Sequence, residues 1–173
     1  MRSMRWIQTV DNQILGFIQN HIRCRFLDRV MPVLTSLGNG GAIWLIITAV
    51  WLARAGTRRM GFLLLAVLLV CVAVGNFGIK LVAARKRPCH TDTEFELLIN
   101  RPSDFSFPSC HTMSSFGAAG VIVSIYPLWG IAALALAAVI GFSRLYLYVH
   151  YPSDVVAGLV LGLLAAGFIV YFV

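Results

Sequence analysis

Long apolar segments separated by short polar stretches dominate this chain. Residues 60–79, "MGFLLLAVLLVCVAVGNFGI", contain no charged side chain, and about 20 such residues suffice for a helix that crosses a bilayer. Residues 26–53 begin weakly polar and end in the apolar "AIWLIITAVWLA". The "GNGG" at 38–41 between these halves predicts a kink or a close helix contact. The pattern therefore predicts an all-α, integral-membrane helical bundle.

The second half of the chain predicts three more helices. No charged residue occurs between Thr112 and Phe142, a run that is too long for a single span. The "YPLWG" at 126–130 supplies a turn and interfacial aromatic residues. Helices are expected at 110–126, 129–148 and 153–173, which gives five spans in total, with six spans as the alternative.

The first segment, residues 6–22, is too polar for a typical span. Its apolar residues recur at helical spacing, with Gln, Asp and Asn on the opposite side: Trp6, Val10, Ile14, Phe17, Ile18, and His21 or Ile22. This periodicity predicts an amphipathic helix that lies in the membrane interface, and a polar first span is the alternative. Residues 1–173 are expected to form a single domain.

Composition supports a membrane protein and narrows its partners. The chain is 59% hydrophobic and 12% charged, and its mean hydropathy is +0.83. The net charge of +7 is spread between apolar segments, so lipid headgroups or a phosphorylated substrate are better candidate partners than nucleic acid. The four cysteines lack C-x-x-C spacing, which argues against a zinc site. Polar residues early in the chain argue against a cleaved signal peptide, and nothing in the sequence indicates an oligomeric state.

Polar residues concentrate at one end of the predicted bundle. Residues 84–108 form a polar loop, and alternating spans place it on the same membrane face as 143–154. The loop at 54–59, with its three arginines, shares the opposite face with "YPLWG". Short basic loops favour the cytoplasm, so the polar face is predicted to look outward.

Seven polar residues on that face suggest phosphoryl chemistry. They are Lys80, Arg87, Ser109, His111, Arg144, His150 and Asp154. Converging cations are costly at a low-dielectric boundary unless an anion joins them, and guanidinium groups match phosphate oxygens. Two histidines supply a nucleophile and a proton donor, and a carboxylate four residues after a histidine can orient its ring. Taken alone, each of these residues also fits a structural role; Asp154, for example, could be a helix N-cap. The neighbouring Arg85 and Lys86 are interpreted as contacts to lipid headgroups.

The spacing of these residues resembles a known three-part signature. Lys80-x6-Arg87-Pro88, Pro108-Ser109-x-His111 and Ser143-Arg144-x5-His150-x3-Asp154 are similar to the motifs of the type-2 phosphatidic acid phosphatase (PAP2) superfamily. The resemblance implies that His150 is the nucleophile of a phosphohistidine mechanism, that Asp154 orients it, and that His111 protonates the leaving group. It also implies that Lys80, Arg87, Ser109 and Arg144 bind the phosphoryl group, without a metal or other cofactor.

One position departs from that family pattern. Cys110 replaces the usual glycine before His111, where it joins the phosphate-binding segment and its side chain could crowd the phosphate if the backbone φ does not suit it. The resemblance also brings Cys110 near Cys89, because Arg87 and Ser109 grip one phosphate. Two free thiols are the expected state, and a disulfide is the alternative.

The resemblance implies hydrolysis of a lipid phosphate and leaves the lipid open. Undecaprenyl diphosphate is the best candidate, because short bacterial members often act on it and an outward-facing site suits carrier-lipid recycling. Phosphatidylglycerophosphate and phosphatidic acid are the alternatives. A non-enzymatic lipid-binding or transport protein is the alternative of another class, which the Cys110 replacement favours. The vanadium haloperoxidases share the site architecture but are soluble.

Overall fold

A computed structural model describes residues 2–173, and the side chains of residues 6–173, as helices joined by short connections and one long loop. The α-helices are α1 (Arg2–Phe17), α2 (Arg25–Ser36), α3 (Ala42–Ala53), α4 (Arg58–Cys71), α5 (Lys80–Ala83), α6 (Pro88–Thr91), α7 (Cys110–Ile125), α8 (Pro127–Tyr146) and α9 (Pro152–Phe172). Short π-helical segments continue α1 over Ile18–Ile22 and join α4 to α5 over Val72–Ile79.

The helix α1 has the predicted amphipathic character. Trp6 and Phe17 are exposed, whereas Asp11 and Leu15 are each 2% exposed. The predicted apolar stripe is therefore only partly exposed, because Ile18 is 4% exposed and lies in a buried cluster with Met31 and Tyr146. The interfacial position of the helix stays a prediction. The opposite face, which includes an acidic residue, packs against α9.

The predicted kink at "GNGG" is present. The helices on either side of it, Arg25–Ser36 and Asn39–Ala53, are bent by 47°. Gly40 and Gly41 have φ values of 58° and 73°, a left-handed conformation that favours glycine. The bend places the intervening turn beside α7.

The centre of the bundle is the packing of α7 against α8 and α9. Most residues of α7 from Thr112 to Ile122 are buried. Glycines on α9 allow the close approach: a Cβ at Gly162 would lie 2.4 Å from the Met113 carbonyl oxygen, and one at Gly158 would lie 2.6 Å from that of Ser109. This packing fixes the start of α7 against the start of α9.

The polar loop lies over one end of the bundle. Phe95 stacks on Tyr148 with ring centroids 4.1 Å apart, and residues 97–99 pack against a buried cluster that includes Cys89 and Tyr146. The opposite end carries the connection between α3 and α4, where Trp51 meets Tyr126 with ring centroids 6.0 Å apart. The two predicted groupings of loops are therefore confirmed.

Within the described residues, three helices are long and apolar enough to cross a membrane, or four if the bent pair counts as one span. They are Pro127–Tyr146, Pro152–Phe172 and the long helical region Ala55–Thr91. The helix Cys110–Ile125 is apolar but shorter. The protein is thus an all-helical integral membrane protein, and the count of five spans stays a prediction that needs both the bent pair and α7 to cross.

Candidate active site

The predicted site residues meet around a cavity of about 960 Å³ at the polar end of the bundle. Its lining includes six of the eight predicted positions: Lys80, Arg87, Cys110, His111, Arg144 and His150. Ser109 and Asp154 lie behind this lining, and both are fully buried. Residues separated by up to 70 positions in sequence are therefore neighbours in the fold.

His150 occupies the centre of the site and is 1% exposed. Its Nε2 lies 2.9 Å from Nη1 of Arg87, which can only donate, so Nε2 is the acceptor and the ring proton resides on Nδ1. The Nδ1 atom lies 3.6 Å from Oδ2 of Asp154. This arrangement leaves an unprotonated Nε2 at the cavity, which is the requirement for a nucleophile.

The environment keeps His150 neutral. Burial first, and then the nearby charges of Arg87, Arg144 and Lys80, hold the pKa of His150 well below its usual value. Both effects disfavour the imidazolium form. A neutral ring, whose Nε2 lone pair accepts a hydrogen bond from Arg87, is therefore the resting state.

Asp154 belongs both to the start of α9 and to the site. Its Oδ2 accepts a hydrogen bond of 2.8 Å from the backbone N–H of Tyr151, which caps the helix. Ser106 donates to the same oxygen at 2.5 Å, and its Oγ lies 3.4 Å from Nδ1 of His150. The same carboxylate thus caps α9 and lies beside the His150 ring, and its orienting role stays a prediction.

Two cations converge on a single carboxylate beside the cavity. Oδ2 of Asp104 accepts a hydrogen bond of 2.5 Å from Lys80, and its Oδ1 accepts one of 2.7 Å from Nη2 of Arg87. Burial raises the pKa of Asp104, but the hydrogen bond and charge of Lys80 and the charge of Arg87 outweigh it and bring the pKa to about 2. Both cations are thus bonded to a carboxylate of the protein itself.

Arg144 enters the cavity from the end of α8. Its Nη1 donates to Oγ1 of Thr35 on α2 at 2.6 Å. Its Nε is buried and has no hydrogen-bond partner among the residues that the structure describes. A buried charged donor without an acceptor is costly, and an anion in the cavity would supply the acceptor.

His111 and Cys110 begin helix α7. Nε2 of His111 lies 2.9 Å from Oδ1 of Asn39, in the turn between α2 and α3. Cys110 lies within the right-handed helix, so the glycine usual at this position is not needed for its φ. All four cysteines are free, including Cys89, as expected for two thiols at 89 and 110.

Several residues of the site could not be found from the sequence motifs. Arg85, interpreted as a headgroup contact, instead donates to Asp154 at 2.7 Å. The other additions are Asp11, Thr35, Asn39, Asp104 and Ser106. Each is brought to the site by a tertiary contact that the sequence does not show. For Asp11, the sequence shows only an acidic residue on the polar face of a predicted amphipathic helix.

A buried histidine, a second histidine and three cations around one cavity of a helical membrane bundle are the arrangement expected of an integral-membrane phosphatase. The PAP2 superfamily matches residues 59–173, and the chain belongs to this family of lipid phosphatases. Such enzymes hydrolyse a lipid phosphate through a phosphohistidine.

Individual relatives agree with this assignment. The undecaprenyl-diphosphatase of Sulfolobus acidocaldarius is 31% identical over 83% of this chain and 69% of its own length. The undecaprenyl-diphosphatase BcrC of Bacillus subtilis is 30% identical over 80% of this chain and 70% of its own. The crystal structure of the transmembrane PAP2 type phosphatidylglycerolphosphate phosphatase from Bacillus subtilis superposes with a TM-score of 0.77 at 30% identity, covering 96% of this chain and 85% of that one.

Proposed function

We propose that this phosphatase hydrolyses undecaprenyl diphosphate to undecaprenyl phosphate and orthophosphate. The observation that carries the proposal is the composition of the cavity, which is cationic at the polar end and apolar beyond it. Leu45, Leu65, Leu69 and Val72 line its apolar part, and three of these side chains are more than 40% exposed. A lipid tail can thus reach the site from the bilayer while its head group enters the cationic end.

The charge of the cavity favours a diphosphate over a monoester. Among the described lining residues, the cations are Lys80, Arg87, Arg101 and Arg144, and the carboxylate is Asp104. This leaves three positive charges, whereas a phosphate monoester carries about −1.5 to −2 at neutral pH. A diphosphate supplies more negative charge and more acceptor oxygens, so it matches the cavity better.

The proposed reaction has two steps. Nε2 of His150 attacks the terminal phosphorus, the N–P bond forms, and the P–O bond to the lipid phosphate breaks. His111, which takes up a proton from water when the anionic head group binds, gives that proton to the leaving oxygen. A water molecule then passes a proton to His111 and attacks the phosphohistidine, the N–P bond breaks, and orthophosphate is released.

Charge stabilisation comes from the residues around the phosphoryl group. Lys80, Arg87 and Arg144 bind its equatorial oxygens, and the first turn of α7, from Cys110 onward, presents backbone N–H groups to it. The carboxylate of Asp104 must give up its contacts with Lys80 and Arg87 when the phosphate binds. Asp154 stabilises the positive charge that His150 acquires during attack.

We further propose that the enzyme resides in a bacterial plasma membrane with this site facing outward. The arginines of the connection between α3 and α4 support this, because that connection lies at the opposite end of the bundle. In a Cys24→Ser background, an impermeant maleimide added to intact cells is expected to label Ser103→Cys and not Gly56→Cys. The reverse labelling would show an inward-facing site.

Phosphate release by the purified protein tests the substrate. We expect kcat/KM for undecaprenyl diphosphate to exceed the values for phosphatidylglycerophosphate and phosphatidic acid at least tenfold. His150→Ala should release no phosphate from any of them. A preference for phosphatidylglycerophosphate would replace the proposed substrate with the alternative, which the Bacillus subtilis structural relative favours. Equal phosphate release by the wild type and by His150→Ala would reject the proposed role of His150.

The non-enzymatic alternative is not favoured. Cys110, the feature that suggested it, adopts an ordinary helical conformation, and the relatives at about 30% identity are named as phosphatases.

A further inference from the structure

We infer that Asp11, on the N-terminal helix α1, is a positioning residue for the catalytic histidine and acts through Arg85 and Asp154. This inference rests on the proposed role of His150. Asp11 lies outside residues 59–173, which the family pattern covers, and none of the motifs of the site includes it. The contacts that carry the inference lie on three separate elements: α1, the segment after α5, and the start of α9.

Asp11 is tied to the site by a compact set of hydrogen bonds. Its Oδ2 accepts hydrogen bonds from Nη2 of Arg85 at 2.7 Å and from Oγ of Ser153 at 2.6 Å. Its Oδ1 accepts a hydrogen bond of 2.9 Å from the backbone N–H of Ser153. Ser153 precedes Asp154 directly. The carboxylate of Asp11 therefore holds the first turn of α9, on which Asp154 stands.

Arg85 is shared between two carboxylates. Its Nη1 donates to Oδ1 of Asp154 at 2.7 Å, while its Nη2 donates to Asp11. Its guanidinium also lies over the ring of Tyr151 at 4.1 Å. The side chain of Asp154 is fully buried and that of Asp11 is 3% exposed, so solvent screens these charges little.

The charges of this group have a consequence for catalysis. With one guanidinium between two carboxylates, the group carries a net charge of −1. Without Asp11, Arg85 would neutralise Asp154 alone, and the net charge would be zero. His150 becomes positive when its Nε2 attacks phosphorus, so Asp154 stabilises that charge best when Arg85 is partly engaged elsewhere.

No other described group supplies this negative charge at the Nδ1 side of the ring. The other charged or titratable groups near His150 are Lys80, Arg87, Arg144, Asp104 and His111. All but Asp104 are cationic or neutral, and Asp104 is bonded to Lys80 and Arg87. Neither Asp11 nor Arg85 lines the substrate cavity in the part of the chain described, so their effect should fall on the chemical step rather than on binding.

Phosphate release by single and double variants tests the inference. Asp11→Asn keeps the shape and removes the charge, and we expect kcat to fall about tenfold with KM within twofold. The double variant Asp11→Asn/Arg85→Gln restores a net charge of −1 on Asp154, and we expect kcat to recover to within about threefold of the wild type. The kcat of Asp11→Glu should also stay within about threefold of the wild type, because glutamate keeps the negative charge.

A matched control separates the charge effect from simple loss of structure. Asp28 forms an ion pair with Arg23 at 3.3 Å, so Asp28→Asn removes another carboxylate from the N-terminal half, and kcat should stay within twofold. A purely structural role predicts that the double variant is slower than Asp11→Asn, which would overturn the inference. Unchanged kcat in Asp11→Asn would overturn it as well, while leaving the proposed function intact if the wild type still depends on His150. Absence of His150-dependent release in the wild type would instead reject the proposed function.

Discussion

At the scale of single residues, Asp104 is expected to compete with the substrate for the cations of the site. Its side chain is half exposed, yet it is bonded to both Lys80 and Arg87. These are the cations that the proposed mechanism assigns to the phosphoryl group. An incoming phosphate must therefore compete with a carboxylate of the protein itself, and the carboxylate keeps the two cations compensated while the cavity has no anion.

Replacement of Asp104 by asparagine should strengthen binding of inorganic phosphate. Removing the negative charge leaves Lys80 and Arg87 available to the anion, so we expect the competitive inhibition constant of orthophosphate to fall about fivefold. Steady-state kinetics at several phosphate concentrations measures this. As a control, Asp92→Asn changes an exposed carboxylate on the same side of the bundle and should leave the inhibition constant of orthophosphate unchanged. A higher inhibition constant in Asp104→Asn would show that Asp104 organises the cations rather than competing for them.

The pKa of Asp104 defines the pH range of this effect. Because its pKa is lowered from 3.8 to about 2, the carboxylate is ionised throughout the neutral and mildly acidic range. Its contribution to the free energy of unfolding is complete above pH 3.8 and is lost as the pH falls toward 2. The difference in phosphate inhibition between the wild type and Asp104→Asn should therefore stay constant between roughly pH 4.5 and 5.5, where orthophosphate also keeps a single negative charge.

The sequence predicts some site residues and misses others for a physical reason. Lys80, Arg87, His111, Arg144, His150 and Asp154 have fixed spacings, because short helical segments and turns place each pair. Asp104 and Ser106 lie in the long loop, whose path depends on packing against the cluster around Tyr146. Asp11 is found only when α1 is seen to pack against α9, since periodicity alone indicates the lipid-facing stripe and not the partner of the opposite face.

At the scale of elements, the contact between α7 and α9 holds the site together. Ser109 begins α7 and Asp154 lies in the first turn of α9, and the Ser109 N–H donates to the Asp154 carbonyl oxygen at 3.1 Å. Gly158 and Gly162 permit this approach. The sequence predicts both helices within a few residues, but their contact face could not be derived from α9, which is apolar almost all round.

An alanine at position 162 should separate these helices. The added Cβ would lie 2.4 Å from the Met113 carbonyl and 2.9 Å from the Gly117 nitrogen, and backbone atoms cannot move aside as a side chain can. Overpacking costs roughly 1–3 kcal/mol, and we expect the thermal unfolding midpoint in detergent to fall by about 5 °C or more.

Gly167→Ala is the matched control on the same helix. Among the described residues, no atom beyond the neighbouring helix backbone lies within 4 Å of a Cβ added at Gly167. Alanine also favours a helix by up to about 1 kcal/mol relative to glycine. The midpoint of this variant should be unchanged or slightly higher. Equal losses in the two variants would mean that the α7–α9 contact is looser than the structure shows.

At the scale of the whole molecule, the cavity joins the polar end of the bundle to its lipid-facing side. Leu45 of α3 and Leu69 of α4 line the cavity and are 45% and 61% exposed. The bend between α2 and α3 brings the turn at Asn39 to the same cavity as His111. Head group and tail can therefore be bound at once by residues of one continuous surface, which the sequence could not reveal because an apolar groove has no local motif.

The position of the tail can be tested with Leu69→Trp. A larger side chain should obstruct the apolar part of the cavity without touching the cations. We expect KM for undecaprenyl diphosphate to rise about fivefold, while the activity toward inorganic diphosphate, which has no tail, stays within twofold. Leu164→Trp is the control, since Leu164 is 65% exposed on α9 and is not among the described cavity residues. If Leu69→Trp affected both substrates equally, the side chain would be acting on the head group. If neither variant changed KM, the tail would leave the site by another path, and the charged end of the cavity alone would account for substrate binding.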